Sequence, residues 1–256
     1  MPLSTPAAGG LTLHAAVISW PRTAQASRLI AEAVQPQVER LTVVYSNLAG
    51  TRESGCGDWV QVPDHVYFGG KFLCAAQRGR EDIVLLIHAD AQCGDWGALV
   101  QRCRAVLGRG GVGIWAPAVS HTHWVDALVE LRREAGSALA QVAQTDCVVF
   151  ALSRPVIDRL LELDYRCNNL GWGIDWAAIC HSHVRGLQVL RDHAVGVHHL
   201  PGRGYEAGAA AAQMRDFLAQ LTPAERQAYR RLAEGIDARA RGPGAAADPS
   251  TPPARS

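Results

Sequence analysis

A run of apolar residues that ends abruptly on polar ones limits most strongly what this chain can fold into. Positions 83 to 87 are all Ile, Val or Leu, and His88, Ala89 and Asp90 follow directly. A continuous apolar run of this length is typical of a strand buried on both faces of a parallel sheet. Because ligands of open α/β sheets bind just beyond the carboxyl ends of such strands, His88 and Asp90 are candidate binding residues. A strand end capped by a turn explains them equally well.

Strand and helix patterns alternate around this run. Leu13 to Ser19 and Leu41 to Tyr45 have the composition of buried strands, and apolar residues between 26 and 34 recur at helical spacing. The stretch from Val125 to Val142, rich in small residues, is predicted to be helical. Such an alternation predicts an α/β domain whose parallel sheet is built from right-handed crossovers. The 256 residues, 48% of them hydrophobic, suffice for one such domain with a sizeable core.

Composition argues against several classes of protein. A formal net charge of +1 is unlike that of proteins that work by general attraction to nucleic acid or to an acidic membrane. Met1 to Gly10 contain no basic segment and no apolar core, so no secretory signal is expected there, and no apolar run is long enough to span a bilayer. The seven cysteines form no CxxC pair, which favours reduced thiols. We therefore expect a cytoplasmic protein.

The single lysine of the chain, Lys71, follows Gly69 and Gly70. Lysine is a compact point charge and arginine a wide fork, so a position that kept lysine among so many arginines suggests a confined site. A helix that begins just after the two glycines would present free backbone N–H groups beside Lys71, an arrangement that holds phosphate. A glycine turn before an exposed lysine is the alternative interpretation.

Two later segments add candidate site residues. The segment Gly171-Trp172-Gly173-Ile174-Asp175-Trp176 concentrates glycine, tryptophan and one acid before an apolar helix. Its tryptophan rings predict either a platform for a sugar or ordinary core packing. Further on, His198 and His199 end a strand that runs into a glycine-rich loop.

The order of these segments resembles that of the GT-A glycosyltransferases, especially the family 2-like bacterial members. The resemblance rests on His88-Ala89-Asp90, Thr145-Asp146, the segment from Gly171 to Asp175, and His199 ahead of Gly204-Tyr205. It implies a GT-A (Rossmann-like) catalytic domain over 11–205, a three-layer αβα sandwich with a mostly parallel central sheet. We also predict a flexible N-terminus over 1–10, C-terminal helices over 206–239, and a disordered tail over 240–256, where Pro, Ala, Gly and Ser dominate.

The resemblance also implies roles for individual residues. Asp90 matches the last acid of the family motif that holds Mn²⁺ or Mg²⁺ on the diphosphate of a nucleotide sugar, and His199 or its neighbour His198 matches a late histidine of the metal shell. Asp175 matches the general base of inverting members. The other donor-site residues are expected to be Ser19, Trp20, Arg22, Ser46, Asn47, Lys71, His88, Ala89 and Arg203, and the acceptor-site residues Trp172, Gly173 and Trp176.

His88 stands where the family most often has aspartate. Imidazole suits transition metals better than Mg²⁺, so His88, Asp90 and His199 together would also form a site of that kind. The interpretation favoured from the sequence puts Asp90 on the metal and leaves His88 as a ribose contact or as a support for the metal ligands.

The sequence thus predicts a metal-dependent, inverting glycosyltransferase that moves a sugar from a UDP- or GDP-type donor to an acceptor hydroxyl. A glycan or lipid-linked acceptor and a place in bacterial polysaccharide or glycoconjugate synthesis are expected, with no nucleic-acid partner. Two alternatives keep the fold: a catalytically inactive sugar-nucleotide-binding protein and a nucleotidyltransferase. Arg226, Arg230 and Arg231 allow a peripheral contact with the inner face of the membrane, although a solvated helix face explains them as well.

Overall fold

Apolar side chains on both faces of two adjacent strands contribute to both hydrophobic clusters of the protein. In the computed structural model, which describes residues 10–199 and 204–242, the strand Leu13–Ile18 pairs in parallel with the strand Ile83–His88. Odd-numbered side chains of both strands enter one hydrophobic cluster, and the even-numbered apolar ones enter the other. This period of two is that of a strand with both faces buried. The buried strand predicted before His88 is therefore confirmed.

All nine strands of the described residues belong to one sheet. They are β1 (Leu13–Ile18), β2 (Arg40–Tyr45), β3 (Asp58–Gln61), β4 (Ile83–His88), β5 (Val112–Val119), β6 (Glu130–Arg133), β7 (Leu139–Val142), β8 (Val149–Ser153) and β9 (Gln188–Val197). Their spatial order is β3-β2-β1-β4-β8-β5-β9-β7-β6. β8 is antiparallel to β4 and β5, and β7 is antiparallel to β6 and β9, whereas the other pairs are parallel. The sheet is therefore mostly parallel, with two reversed strands.

Helices cover both faces of this sheet. They are α1 (Ala24–Val34), α2 (Phe68–Ala76), α3 (Trp96–Leu107), α4 (Asp126–Val129), α5 (Arg154–Leu161), α6 (Ile174–Val184), α7 (Ala207–Leu218) and α8 (Pro223–Arg241). The buried residues of α1 and α3 pack on one face, and those of α2, α5, α6, α7 and α8 belong to the cluster on the other. The chain is a three-layer αβα sandwich, as predicted. In the part of the chain described, no helix is both long enough and apolar enough to cross a membrane.

The direction of the strands brings distant parts of the sequence to one edge of the sheet. β1, β2, β4, β5 and β9 all point to this edge, so the residues that follow each of them lie there. The reversed strand β8 begins at the same edge, and the backbone N–H of His88 donates to Val148 O at 2.9 Å. The polar residues just before β8 therefore lie beside those just after β4.

The helix predicted over 125–142 is wrong. Only α4 is helical there, and β6 and β7 form an antiparallel hairpin that turns at Gly136, whose φ is +75°. β7 also pairs with β9, where Gln141 lies opposite Leu190. Leu, Glu, Arg and Ala are good helix formers, but intrinsic propensity is a weak preference, and pairing with the sheet outweighs it here.

The two helices predicted at the C-terminal end are present as α7 and α8. α8 begins with a capping box, in which Thr222 Oγ1 accepts from Glu225 N at 3.2 Å and Glu225 Oε2 accepts from Thr222 N at 2.8 Å. The buried Glu225 carboxylate also accepts hydrogen bonds from Arg159 of α5 at 2.9 and 2.8 Å, which fastens α8 to the sandwich. α8 continues to Arg241, so the predicted tail starts inside a helix, and its remainder, like residues 1–9, lies outside the described residues.

Candidate functional site

Three side chains suited to bind a metal ion converge at the carboxyl edge of the sheet. We call His88, Asp90 and His199 the metal trio. One ligand atom of each lies within 4.8 Å of the others, and Asp90 Oδ2 is 3.5 Å from His199 Nε2. They meet because β4 and β9 end at the same edge. Two imidazoles and one carboxylate suit a transition metal better than Mg²⁺, which prefers oxygen ligands.

The protonation states of the metal trio suit a cation. Burial lowers the pKa of His88 to about 4, so this imidazole is neutral, and its buried Nε2 has no hydrogen-bond partner among the described residues. Burial alone would raise the pKa of Asp90, but the hydrogen bond from His199 and the nearby imidazoles of His88 and His199 outweigh it and lower that pKa. The same hydrogen bond raises the pKa of His199. A neutral ring, an ionised carboxylate and a buried nitrogen without a partner among the described residues fit a metal ion.

His198 is not part of the metal trio. Its Nδ1 lies 2.8 Å from Ser120 Oγ, and its ring packs edge-on against His121 with 5.4 Å between the ring centroids. Consecutive side chains of an extended segment point in opposite directions, so only one of the two histidines faces Asp90. The structure thereby corrects the expectation that His198 serves as a metal ligand.

Five of the residues predicted at the donor site share one pocket, which we call the donor pocket. It has a volume of about 290 Å³ and lies at the ends of β1 and β2. The Trp20 ring packs edge-on against His88, with 5.7 Å between centroids, so the donor pocket adjoins the metal trio. Arg22 has φ +76°, a backbone strain that clusters at functional sites. The pocket is lined by Ser19, Trp20, Arg22, Ser46 and Asn47, together with Ala24, Gln25, Arg28, Tyr45 and Glu53.

Lys71 supports the donor pocket from beneath. Its side chain is 1% exposed, and Nζ donates to Ser19 O at 2.7 Å and to Ser46 Oγ at 2.9 Å while lying 4.3 Å from the centre of the Trp20 ring. Burial lowers the pKa of Lys71 to about 8. The confined site expected for the only lysine is confirmed, but an exposed amine that reaches phosphate is not what the structure has. Arg203, the other cation predicted at the donor, lies outside the described residues.

The glycines before Lys71 allow close packing and do not form a phosphate cradle. α2 already includes Gly69, whose N–H donates to Asn169 O at 2.9 Å. A Cβ on Gly69 would lie 1.8 Å from Asn168 O, so only glycine lets α2 approach this loop. Ala89 is also structural. It is buried, and its N–H donates a hydrogen bond to Ile18 O, which connects the end of β4 to β1.

Replacing Lys71 by arginine is expected to lower the free energy of unfolding by about 1–3 kcal/mol, because the larger fork overfills a closed site even though it keeps the charge. Chemical denaturation followed by circular dichroism measures this change. Arg78→Lys, at an exposed position of the same segment, is the control and should stay within about 0.5 kcal/mol of the parent. Equal stability of Lys71→Arg and the parent would show that the site is not confined.

Two glycines place Asp175 in the first turn of α6. Gly171 and Gly173 have φ +86° and +90°, and Gly173 is the residue that caps the helix. A Cβ on Gly171 would lie 2.4 Å from Phe68 Cδ1. Positive φ and close approach both require glycine, so the Gly-Trp-Gly pattern sets the position of Asp175. Its carboxylate lies near the helix N-terminus, where the aligned peptide dipoles favour negative charge.

Asp175 is held in an environment that suits proton transfer. Its Oδ2 accepts a hydrogen bond from Gln144 Nε2 at 3.0 Å, and the Cys147 thiol also contacts it. Burial, together with the charge of Asp146, raises the pKa of Asp175 to about 6. A carboxylate whose pKa lies this close to neutrality is well matched to accept a proton at physiological pH.

Asp146 is a residue of the site to which the sequence assigned no role. Its Oδ2 is buried and has no hydrogen-bond partner among the described residues. The hydrogen bond that His199 donates to Asp90 raises the pKa of His199, and the charge of Asp146 raises it further. The charge of Asp146 also raises the pKa of Asp175. Asp146 is therefore near both groups. Polar residues next to a buried strand identified His88 and Asp90, and the same signal before β8 would have identified Asp146.

The two tryptophans predicted at the acceptor site, Trp172 and Trp176, differ in how deeply they are buried. Trp176 is 6% exposed and packs edge-on against Trp124 and Tyr229, with ring centroids 6.1 and 4.9 Å away. Its expected place in a sugar platform is wrong, and ordinary core packing is its role. Trp172 is half-buried, and its Nε1 donates to Tyr205 Oη at 2.9 Å. An acceptor role for Trp172 and Gly173 stays a prediction.

No protein-family model matches this sequence, and no curated protein does. Solved structures match its fold. GalNAc-T7 with UDP, GalNAc and Mn²⁺ has a TM-score of 0.60 and 10% identity over 88% of this chain, which spans only 51% of that protein. A mannosyltransferase from Pyrobaculum calidifontis in complex with GDP-Man and Mn²⁺ has a TM-score of 0.55 and 14% identity, with 93% of this chain and 77% of that one covered. A UDP-glucose pyrophosphorylase complexed with UDP-glucose has a TM-score of 0.50 and 11% identity, with 86% and 100% covered.

Identities this low establish a shared fold and leave the reaction open, because one fold hosts different chemistries. The three structures include two glycosyltransferases and one pyrophosphorylase, so the likeness spans two reaction classes. The chain has the GT-A fold.

Proposed function

We propose that the protein is a metal-dependent glycosyltransferase that moves a sugar from a UDP- or GDP-sugar to an acceptor hydroxyl. The observation that supports this most is the order of three features along one sheet edge. The donor pocket adjoins His88 through Trp20, and His199 lies near Asp146, which in turn lies near Asp175. A nucleotide bound in the donor pocket would extend its diphosphate to the metal trio and its sugar towards Asp175.

In the proposed reaction the acceptor oxygen bonds to the anomeric carbon while the bond from that carbon to the diphosphate oxygen breaks. The diphosphate leaves with the electron pair, and Asp175 takes the proton of the acceptor hydroxyl. Gln144 orients the Asp175 carboxylate through its 3.0 Å hydrogen bond. Attack opposite the leaving group inverts the anomeric configuration. The metal trio would hold a divalent metal, whose positive charge would stabilise the departing diphosphate.

We propose Mn²⁺ in preference to Mg²⁺ as that metal. The two imidazoles of His88 and His199 support this choice, because Mg²⁺ prefers all-oxygen ligands and keeps several waters. The metal trio leaves coordination positions that diphosphate oxygens would fill. Two of the similar structures were solved with Mn²⁺.

A nucleotidyltransferase is the second candidate, favoured by the similarity to the UDP-glucose pyrophosphorylase. In that reaction a phosphate oxygen attacks a nucleoside triphosphate, and an ionised phosphate needs no base to remove a proton. Asp175, held by Gln144 and with a pKa raised by burial to about 6, would then have no task. Its environment supports transfer to a hydroxyl, and it also argues against an inactive sugar-nucleotide-binding protein.

The wider role follows from this proposal. We place the reaction in bacterial polysaccharide or glycoconjugate synthesis on the cytoplasmic side of the membrane, with a glycan or lipid-linked acceptor. Arg226, Arg230 and Arg231 are exposed on α8, which is compatible with a peripheral contact with an acidic membrane surface.

A thermal-shift assay with UDP, GDP, CMP and ATP, each with and without Mn²⁺, tests the proposal. At a ligand concentration of 100 times Kd, UDP or GDP with Mn²⁺ should stabilise the protein by roughly 2.7 kcal/mol, which raises Tm by several degrees. No shift with either diphosphate in the presence of Mn²⁺ would exclude a nucleotide-sugar transferase. Consumption of a nucleoside triphosphate with a sugar phosphate would instead establish the nucleotidyltransferase.

A further inference from the structure

We propose that a cavity beside β5 and β9 binds the acceptor and that this acceptor is an uncharged, hydroxylated sugar. The inference rests on the proposed glycosyl transfer and adds the place and chemical class of the acceptor. The cavity, here called the β5–β9 cavity, has a volume of about 380 Å³. That lies within the roughly 300–1,000 Å³ of small-molecule sites. Its walls include Val119, His121, Thr122, Val125, Arg191 and His193.

The β5–β9 cavity is linked to Asp175 through Arg191 and Gln144. Arg191, in the wall of the cavity, has its Nη2 atom 3.5 Å from Gln144 O, and Gln144 Nε2 donates a hydrogen bond to Asp175 Oδ2 at 3.0 Å. In the order of the sheet, β5 and β9 lie on the other side of β4 from β1 and β2, whose ends form the donor pocket. The cavity therefore approaches Asp175 from the side away from the donor pocket, as an acceptor must.

The backbone of His121 is strained at the wall of this cavity. Its φ is +59°, and among described residues other than glycine only Arg22, in the donor pocket, shares a positive φ. Strained residues persist where the surrounding structure holds them, and they cluster at ligand sites. The two strained residues thus line cavities of the same sheet edge, Arg22 the donor pocket and His121 the β5–β9 cavity.

The charges of the β5–β9 cavity are already paired. Arg191 Nη1 donates to Asp126 Oδ1 at 2.8 Å, and Asp126 Oδ2 lies 3.1 Å from Arg133 Nη2 and 3.4 Å from His193 Nε2. Arg133 also pairs with Glu130. A phosphate or carboxylate acceptor would have to break one of these pairs, so the arrangement does not select an anion.

What remains in the cavity is suited to a sugar. The Thr122 hydroxyl and the His121 ring offer hydrogen-bonding groups, while Val119 and Val125 offer apolar surface. A sugar ring has hydroxyl groups at its edge and C–H groups on its face, which match such mixed walls. This site replaces the acceptor platform that the sequence suggested around Trp176, whose ring is buried in the core.

Filling the cavity is the direct test. Val125 is 48% exposed, so Val125→Trp adds a large ring in the cavity without entering the core. The matched control is Val184→Trp at the far end of α6, where the parent residue is 44% exposed. Consumption of each donor, UDP-glucose or GDP-mannose, is measured in the presence of Mn²⁺. The acceptor is varied: water alone, methyl glucoside, methyl mannoside, methyl galactoside or glycerol 3-phosphate. Tm and the Kd of UDP and GDP with Mn²⁺ are measured for each variant.

We expect at least one methyl glycoside to accelerate donor consumption in the parent and in Val184→Trp. In Val125→Trp the acceptor KM should rise, so that the acceleration is at least about tenfold smaller. Donor hydrolysis by water and nucleotide Kd should be unchanged in Val125→Trp. Equal acceleration in both tryptophan variants would overturn the site. Acceleration by glycerol 3-phosphate alone, or by no methyl glycoside while hydrolysis proceeds, would overturn the ligand class. If the parent bound neither UDP nor GDP, the proposed function itself would fail, which is a separate outcome.

Discussion

Asp175→Asn is expected to lower the rate of sugar transfer by about 10²–10⁴-fold, the usual contribution of a positioned general base. Asparagine keeps the size of the side chain and still accepts a hydrogen bond from Gln144, but it takes no proton. The carboxylate lies away from the donor pocket, so Kd of UDP or GDP with Mn²⁺ should stay within about twofold, as for a group that acts only in the transition state. Activity within tenfold of the parent, or loss of nucleotide binding, would contradict the role of Asp175 as base.

The pH dependence of the parent supplies a second readout for the same group. Burial and Asp146 raise the pKa of Asp175 to about 6, and only its deprotonated form accepts a proton. kcat/KM should therefore be high above this pH and fall about tenfold per pH unit below it. In Asp175→Asn this acidic limb should disappear. A limb that persists in the variant would belong to another group.

Asp90→Asn and His199→Gln are expected to abolish Mn²⁺-dependent binding of the nucleotide. Loss of a residue that only supports a metal ligand already costs about 10- to 100-fold in affinity, so loss of a ligand should cost at least as much. Titration calorimetry of Mn²⁺ with UDP or GDP measures the effect. We also expect Mn²⁺ to bind more tightly than Mg²⁺ in the parent, because two of the three ligands are imidazoles.

His198→Gln is the matched control for His199→Gln. His198 is the neighbour in sequence, but its Nδ1 lies 2.8 Å from Ser120 Oγ and its ring faces His121. Its substitution should leave Mn²⁺ affinity within about threefold, the range of context-dependent effects away from the ligands. If His198→Gln and His199→Gln weakened Mn²⁺ binding equally, the assignment of the metal trio would be wrong.

The candidate site could be predicted where its residues follow buried strands. Asp90 and His199, more than 100 positions apart, each stand at the end of an apolar run, and the strand direction required by an α/β fold takes both to one edge. The same reasoning brought Ser19 and Ser46 together in the donor pocket. The sequence-based interpretation did not make His88 a metal ligand, but one of its ring nitrogens lies within 4.8 Å of a ligand atom of Asp90 and of His199.

Predictions failed where local preference and tertiary environment conflict. The 125–142 segment contains good helix formers, yet β7 pairs with β9 and becomes a strand. Trp176 and Trp172 look alike in sequence. Trp176, in α6, has its ring in the core, whereas Trp172, just before that helix, is half-buried. Lys71 is polar and follows two glycines, yet its amine is buried against Ser19 O. Each outcome depends on contacts with residues far away in the sequence.

By itself, the sequence determined the layered α/β architecture and the strand ends that carry polar side chains, because the period of apolar residues is a local property of the chain. Only the tertiary structure decided which of His198 and His199 faces Asp90, that Asp146 lies near Asp175, and that Trp176 is core. The position of Asp146 depends on the reversed strand β8, which packs between β4 and β5 and brings Gln144 and Asp146 to the same edge. Strand order and direction arise from long-range pairing, which a local pattern of residues does not encode.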